Sequence, residues 1–82
     1  MAKPEVLAKV MDVTSSVLNV DRGQIKPESN FVFDLGAEST QSVQLVAAFE
    51  EEFDIEMEED KAREVQTVGE AVDFIARYLT KS

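Results

Sequence analysis

Ser39 closes the run Asp34-Leu35-Gly36-Ala37-Glu38-Ser39, a hydroxyl placed just after a glycine turn and at the start of a helical apolar pattern. No other group on this chain has a setting that suggests covalent chemistry. Attack by that hydroxyl needs a base, and the chain has no His, the side chain that most often accepts such a proton near neutral pH. It has no Cys either, so serine–histidine and cysteine–histidine catalysis are excluded by inventory. The same absences remove a disulfide framework, thiolate metal sites and the commonest nitrogen ligand. A serine without a base is better suited to being modified by another protein than to attacking a substrate. The plainer reading is a helix cap, a common role for serine at such a position.

The elements that must hold Ser39 are legible from periodicity. Pro4 and Glu5 suit a helix's first turn, and Val6, Leu7, Val10, Met11, Thr14, Val17 and Leu18 recur at helical spacing, predicting a first helix over about 4–19. A long polar connection over 20–37 follows, with Gly23, Pro27, Asn30 and Gly36. Loops of that length are unusual without structure of their own, so Ile25, Phe31, Val32, Phe33 and Leu35 are expected to pin it to the core. A second helix is expected from Glu38 or Ser39 to about Phe53, with Val43, Leu45, Val46, Phe49 and Phe53 as its buried stripe. Residues 54–57 read as a link and 58–64 as a brief third helix. Thr67-Val68-Gly69-Glu70 is a capping box opening a fourth helix to about 80, with Val68, Ala71, Val72, Ile75, Ala76 and Leu79 inward. The fold class is all-α: a small bundle of three main helices and one short one, with a long first loop, in a single domain of 82 residues.

The net charge is −9. Nucleic-acid phosphate and anionic membrane surfaces repel such a chain, whereas basic partner surfaces attract it. Eight of the 17 acids fall within Glu50–Asp60. Glu50, Glu51 and Glu52 stand at a helix C-terminus, where the dipole disfavours acids, which hints at a use outside folding. An EF-hand is excluded, because the sixth position counted from Asp54 is Glu59 and not Gly. With no apolar signal core and no run approaching a membrane span, the expectation is a soluble, cytoplasmic monomer that is not an enzyme and holds no metal site.

The stretch Asp34 to Ser39, then Val43, Leu45-Val46, Glu50-Glu51-Glu52-Phe53-Asp54 and Glu56, closely resembles the acyl carrier proteins of fatty-acid synthesis, and the likeness extends from the first helix to Leu79. The resemblance implies a four-helix carrier whose motif serine, by position Ser39, bears 4′-phosphopantetheine through a phosphodiester. A phosphopantetheinyl transferase installs that arm from coenzyme A, and its thiol carries acyl groups as thioesters to synthase and transferase enzymes with basic docking surfaces. The family's usual Asp-Ser-Leu is here Glu38-Ser39-Thr40, and Gln41 and Gln44 stand where acids are usual. With Glu38, Thr40, Glu50, Glu51 and Glu59 they make the expected partner face, and its neutral upper part suggests a specialised carrier, for lipopolysaccharide or polyketide intermediates as readily as for fatty acids. Phe31, Val32, Phe49, Met57, Ala62, Val65, Ala71 and Ile75 are core residues first. Small Ala62 and Ala71 and the adaptable Met57 also suit a core that opens between the second and third helices to admit an acyl chain. Two other readings are a peptidyl or aminoacyl carrier, against which the Glu-rich segment speaks, and a cofactor-free acidic adaptor.

Overall fold

Pro4 and Glu5 occupy the first turn of α1 (Lys3–Leu18) in the computed structural model, which describes residues 3–79. Val6, Val10, Thr14 and Leu18 are its buried positions, a four-residue repeat that keeps one stripe inward. Asn19 ends the helix at φ 55, in the left-handed region that Asn tolerates better than most residues. A short 3-10 helix, Arg22–Gln24, follows, with Asp21 accepting from the Gly23 N–H. Next come α2 (Ser39–Phe53), α3 (Glu59–Ala62) and α4 (Val68–Leu79).

α1 is the hub. It packs closely against both α2 and α4, and the buried apolar core gathers Val6, Val10 and Leu18 with Leu45, Phe49 and Phe53 of α2 and Val68, Val72 and Ile75 of α4. α3 is shorter than its sequence span. Beyond Ala62 the chain tightens into turns, with Glu64 N–H on the Lys61 carbonyl and Val65 N–H on that of Ala62. The fourth helix is described to Leu79; the expected end at 80 lies outside the described residues. Its capping box is formed reciprocally: Glu70 N–H donates to Thr67 Oγ1 and Thr67 N–H to Glu70 Oε1, each at 3.2 Å.

The long loop is held largely by backbone bonds. Gly69 N–H donates to the Pro27 carbonyl at 2.7 Å, Val68 N–H to Ser29 at 3.0 Å, and Phe31 N–H to Gln66 at 2.9 Å. The unpaired N–H groups at the start of α4 are thereby satisfied by the loop, and an isolated antiparallel bridge joins Asn30 and Thr67. A Cβ on Gly69 would meet the Pro27 carbonyl oxygen at 3.1 Å, so this glycine allows the close approach. Ile25 and Phe31 are buried and Leu35 packs against the core.

Val32 and Phe33 do not pin the loop, contrary to the expectation from hydropathy: they are 52% and 86% exposed. Asn30 Oδ1 accepts from both of their N–H groups at 2.9 Å, and Asp34 Oδ2 accepts from Asn30 N–H at 2.7 Å. This self-capped turn commits Phe31 inward and leaves the next two side chains outside. Val43 is likewise not part of the buried stripe, being 70% exposed. It lies two residues before buried Leu45, about 200° around the helix.

Candidate functional site

Ser39 is the first residue of α2 and is exposed. The cap position belongs to Glu38, in extended conformation (φ −88, ψ 169), so the plain cap reading of Ser39 does not describe the geometry. Glu38 N–H donates to Gln41 Oε1 at 2.9 Å, and the Glu38 carbonyl accepts the Ser42 N–H at 2.9 Å. The Glu38 side chain faces the Gln41 N–H as the other half of this capping box, which leaves the N–H groups of Ser39 and Thr40 ahead of the first helical bond at the positive end of the dipole. Within the first turn of α2 itself there is no acid, and an anion on Ser39 would share the helix entrance with the Glu38 carboxylate at the cap position.

The loop before it sets the angle of entry. Gly36 N–H reaches the Val32 carbonyl at 3.1 Å and Ala37 N–H that of Phe31 at 2.8 Å, with Ala37 buried. Gly36 has φ 73, and a Cβ there would meet nothing within 4 Å. Glycine is required here by backbone conformation and not by lack of space.

A half-open cavity of about 890 Å³ has Ser39 in its lining. Phe31, Val32, Phe49, Met57, Ala62, Val65 and Ala71 line it, together with Leu45 and Val46, and no residue of α1 does. Because α1 is the element holding α2 and α4, the space lies on the side away from it. Ile75, expected among the lining residues, does not line it and is fully buried. It stands four residues beyond the lining Ala71, one helical turn farther along α4. Ser42, three residues after Ser39 on the same helix face, also lines the cavity, as do Arg63 and Gln66. The i, i+3 spacing of the two serines was available as a signal; nothing local marked Arg63 or Gln66.

The expected docking residues divide. Glu38, Thr40, Gln44, Glu51 and Glu59 are exposed, whereas Gln41 and Glu50 are half-buried. Glu50 Oε2 accepts the Met57 N–H at 2.9 Å, and Glu52 pairs with Lys9 at 3.5 Å. Two of the three acids at the end of α2 therefore have structural partners as well. Among the described residues no three metal-ligating side chains are gathered to hold an ion, and no helix is long and apolar enough to cross a membrane.

Comparison with known proteins agrees with this geometry. Residues 8–75 match a family model described as phosphopantetheine attachment site. The chain is 48% identical to an acyl carrier protein of Prochlorococcus marinus over 75 residues, covering 92% of this chain and 94% of that one. It is 49% identical to one of Picosynechococcus over 72 residues, covering 88% and 89%. A solved structure described as an acyl carrier protein from Mycobacterium tuberculosis superposes with a TM-score of 0.83 at 30% identity, covering 89% of this chain and 97% of that one.

An exposed hydroxyl at a helix entrance, an all-helical bundle and an adjoining apolar cavity define a carrier, a class of protein that holds substrates for enzymes without transforming them. The chain belongs to the acyl carrier protein family, whose 4′-phosphopantetheine supplies a thiol for thioester chemistry while synthase and transferase enzymes make and break the bonds.

Proposed function

We propose that Ser39 bears the phosphopantetheine arm and that the cavity beside it shelters the acyl chain during transfer between enzymes. The observation that carries this reading is that one residue combines an exposed hydroxyl, the first-turn N–H groups of a helix and a place in the cavity lining. A phosphodiester on Ser39 gains from the dipole and from those donors. An apolar chain entering the cavity gains about 0.8 kcal/mol for each methylene fully buried. Phe31, Val32, Phe49, Met57, Ala62, Val65 and Ala71 would line its path, with Leu45 and Val46.

The protein works as one monomeric carrier domain in the cytoplasm. Glu51, Glu59 and the free oxygen of Glu50 dock basic surfaces of its enzymes, and Glu38, Thr40, Gln41 and Gln44 form the part nearest the arm. Fatty-acid synthesis is the usual role of the family. The neutral residues Thr40, Gln41 and Gln44 favour a narrower set of enzymes, because lost rim charges lower association rates. A housekeeping ketosynthase that uses this carrier as readily as its own would overturn the specialised role.

The test of attachment is intact mass after incubation with coenzyme A and a phosphopantetheinyl transferase. The wild type gains the mass of one phosphopantetheine and Ser39→Ala gains none. A wild type that stays bare is an acidic adaptor and not a carrier.

A further inference from the structure

Among the described residues three large apolar side chains are exposed, Val32, Phe33 and Val43, and all three line the cavity that Ser39 also lines. Single apolar residues scattered over a surface need no explanation. Three gathered on one cavity rim are not scattered. The rim is also one-sided. Around Phe33 and Val43 the exposed neighbours on α2 are the uncharged Ser39, Thr40, Gln44 and Ala47. The charged part of the lining is Glu56, Glu59 and Arg63 from the α3 side, with half-buried Glu50 near the far end of α2. The wall is rigid in its backbone, since the N–H groups of Val32 and Phe33 are both held by Asn30 Oδ1. The Phe33 ring therefore stays outside the core in the unloaded protein and keeps apolar surface in water that a suitable ligand would cover.

We propose that Phe33, with Val32 and Val43, is an outer wall of the acyl site that covers the methylenes nearest the thioester. This rests on the reading of Ser39 and the cavity given above. The occupant is the carrier's own aliphatic cargo, and not a partner enzyme or a second copy, for two reasons. The wall belongs to the same cavity lining as Phe31, Leu45, Val46 and Phe49. A chain tethered at Ser39 also reaches it at an effective concentration on the order of millimolar, a local supply that no free partner matches. Phe33 thus sets how firmly the first few carbons are held, a property independent of cavity depth. Its contribution is the same for hexanoyl and decanoyl cargo, because both share those carbons.

The experiment loads the protein with ¹³C-labelled hexanoyl or decanoyl phosphopantetheine from the corresponding acyl-coenzyme A. Nuclear Overhauser contacts are then sought between the chain and the aromatic rings, and thioester cleavage by hydroxylamine is timed in wild type and Phe33→Ser. The expected result is contact between the Phe33 ring and the methylenes next to the carbonyl. Cleavage should be about fivefold faster in Phe33→Ser for both chain lengths, the loss of roughly half a phenyl's burial. The unloaded variant should melt with the wild type, since the ring is solvent-exposed. Contacts to Phe49 and Met57 without contacts to Phe33 would overturn the wall and leave the cavity reading standing. No contacts to any ring would overturn both. A Phe33 ring whose signals respond only when a partner enzyme is added would make it a docking residue and refute the proposal.

Discussion

Thr14→Val should stabilise this protein, although it removes a polar group. Thr14 is fully buried on the inward stripe of α1, and its Oγ1 has no hydrogen-bond partner. A hydroxyl buried without a partner costs about 1–3 kcal/mol of desolvation, and valine fills the same volume with a methyl group. Both residues are β-branched, so helix propensity and χ1 restriction nearly cancel. The net gain expected is about 1–2 kcal/mol. For a domain of 60–100 residues each kcal/mol moves the melting temperature by about 4–8 °C. Urea unfolding at fixed salt should show a higher midpoint with the same slope, since the surface exposed on unfolding is unchanged. A midpoint that falls would refute the reasoning. It would mean that the hydroxyl bonds a carbonyl of the preceding turn, as Thr in helices can, and that the buried atom is satisfied.

Gly36→Ala should lose about 0.5–1 kcal/mol in urea unfolding, a left-handed penalty of about 1–2 kcal/mol partly offset by a stiffer unfolded chain; a stabilised variant would show that the positive φ is not needed. Glu50→Ala should lose about 1–2 kcal/mol by stranding the Met57 N–H, and Glu50→Gln, which keeps an acceptor, less than half of that. If neither shifts the midpoint, Glu50 serves docking alone. The Lys3–Asp73 pair at 2.8 Å links α1 to α4, and hydrogen bonding to Lys3, with its charge, lowers the Asp73 pKa. The stability this contributes is present above the ordinary aspartate value and is lost as pH falls through the lowered one. Both side chains are more than half exposed, so it amounts to at most about 1 kcal/mol. Acid titration of stability in Lys3→Ala should lack that component; an unchanged acid limb would show the pair to be idle.

Much of the fold was legible because it depends on short-range signals. Pro4 at the helix start, the Thr67–Glu70 capping box and the entry at Glu38-Ser39 each act within one turn, and the structure places elements at all three. Val43 was misread because hydropathy reports that a side chain is apolar, while burial depends on its angle around α2. Val32 and Phe33 were misread because Asn30 and Asp34 cap one another, a local competition that hydropathy does not register. The bonds from Gly69 to Pro27 and from Phe31 to Gln66 join residues far apart in sequence, and nothing in either segment announces the other. Glu50 looked misplaced at the end of α2 because its partner, a backbone N–H seven residues on, has no signature of its own. The motif singled out Ser39, which the structure leaves exposed at the start of α2, whereas the cavity arises from how α1 gathers the other helices and could not be read from any one segment.

Three hydroxyls, Ser39, Thr40 and Ser42, lie within four residues, and Ser39 and Ser42 line the cavity. Fragment mass spectrometry of the protein isolated from its own host separates them and weighs the cargo in the same spectrum. The arm should be found on Ser39 alone, carrying an acyl group through its thiol. An arm on Thr40 or Ser42, or an unmodified peptide across all three, would contradict the account.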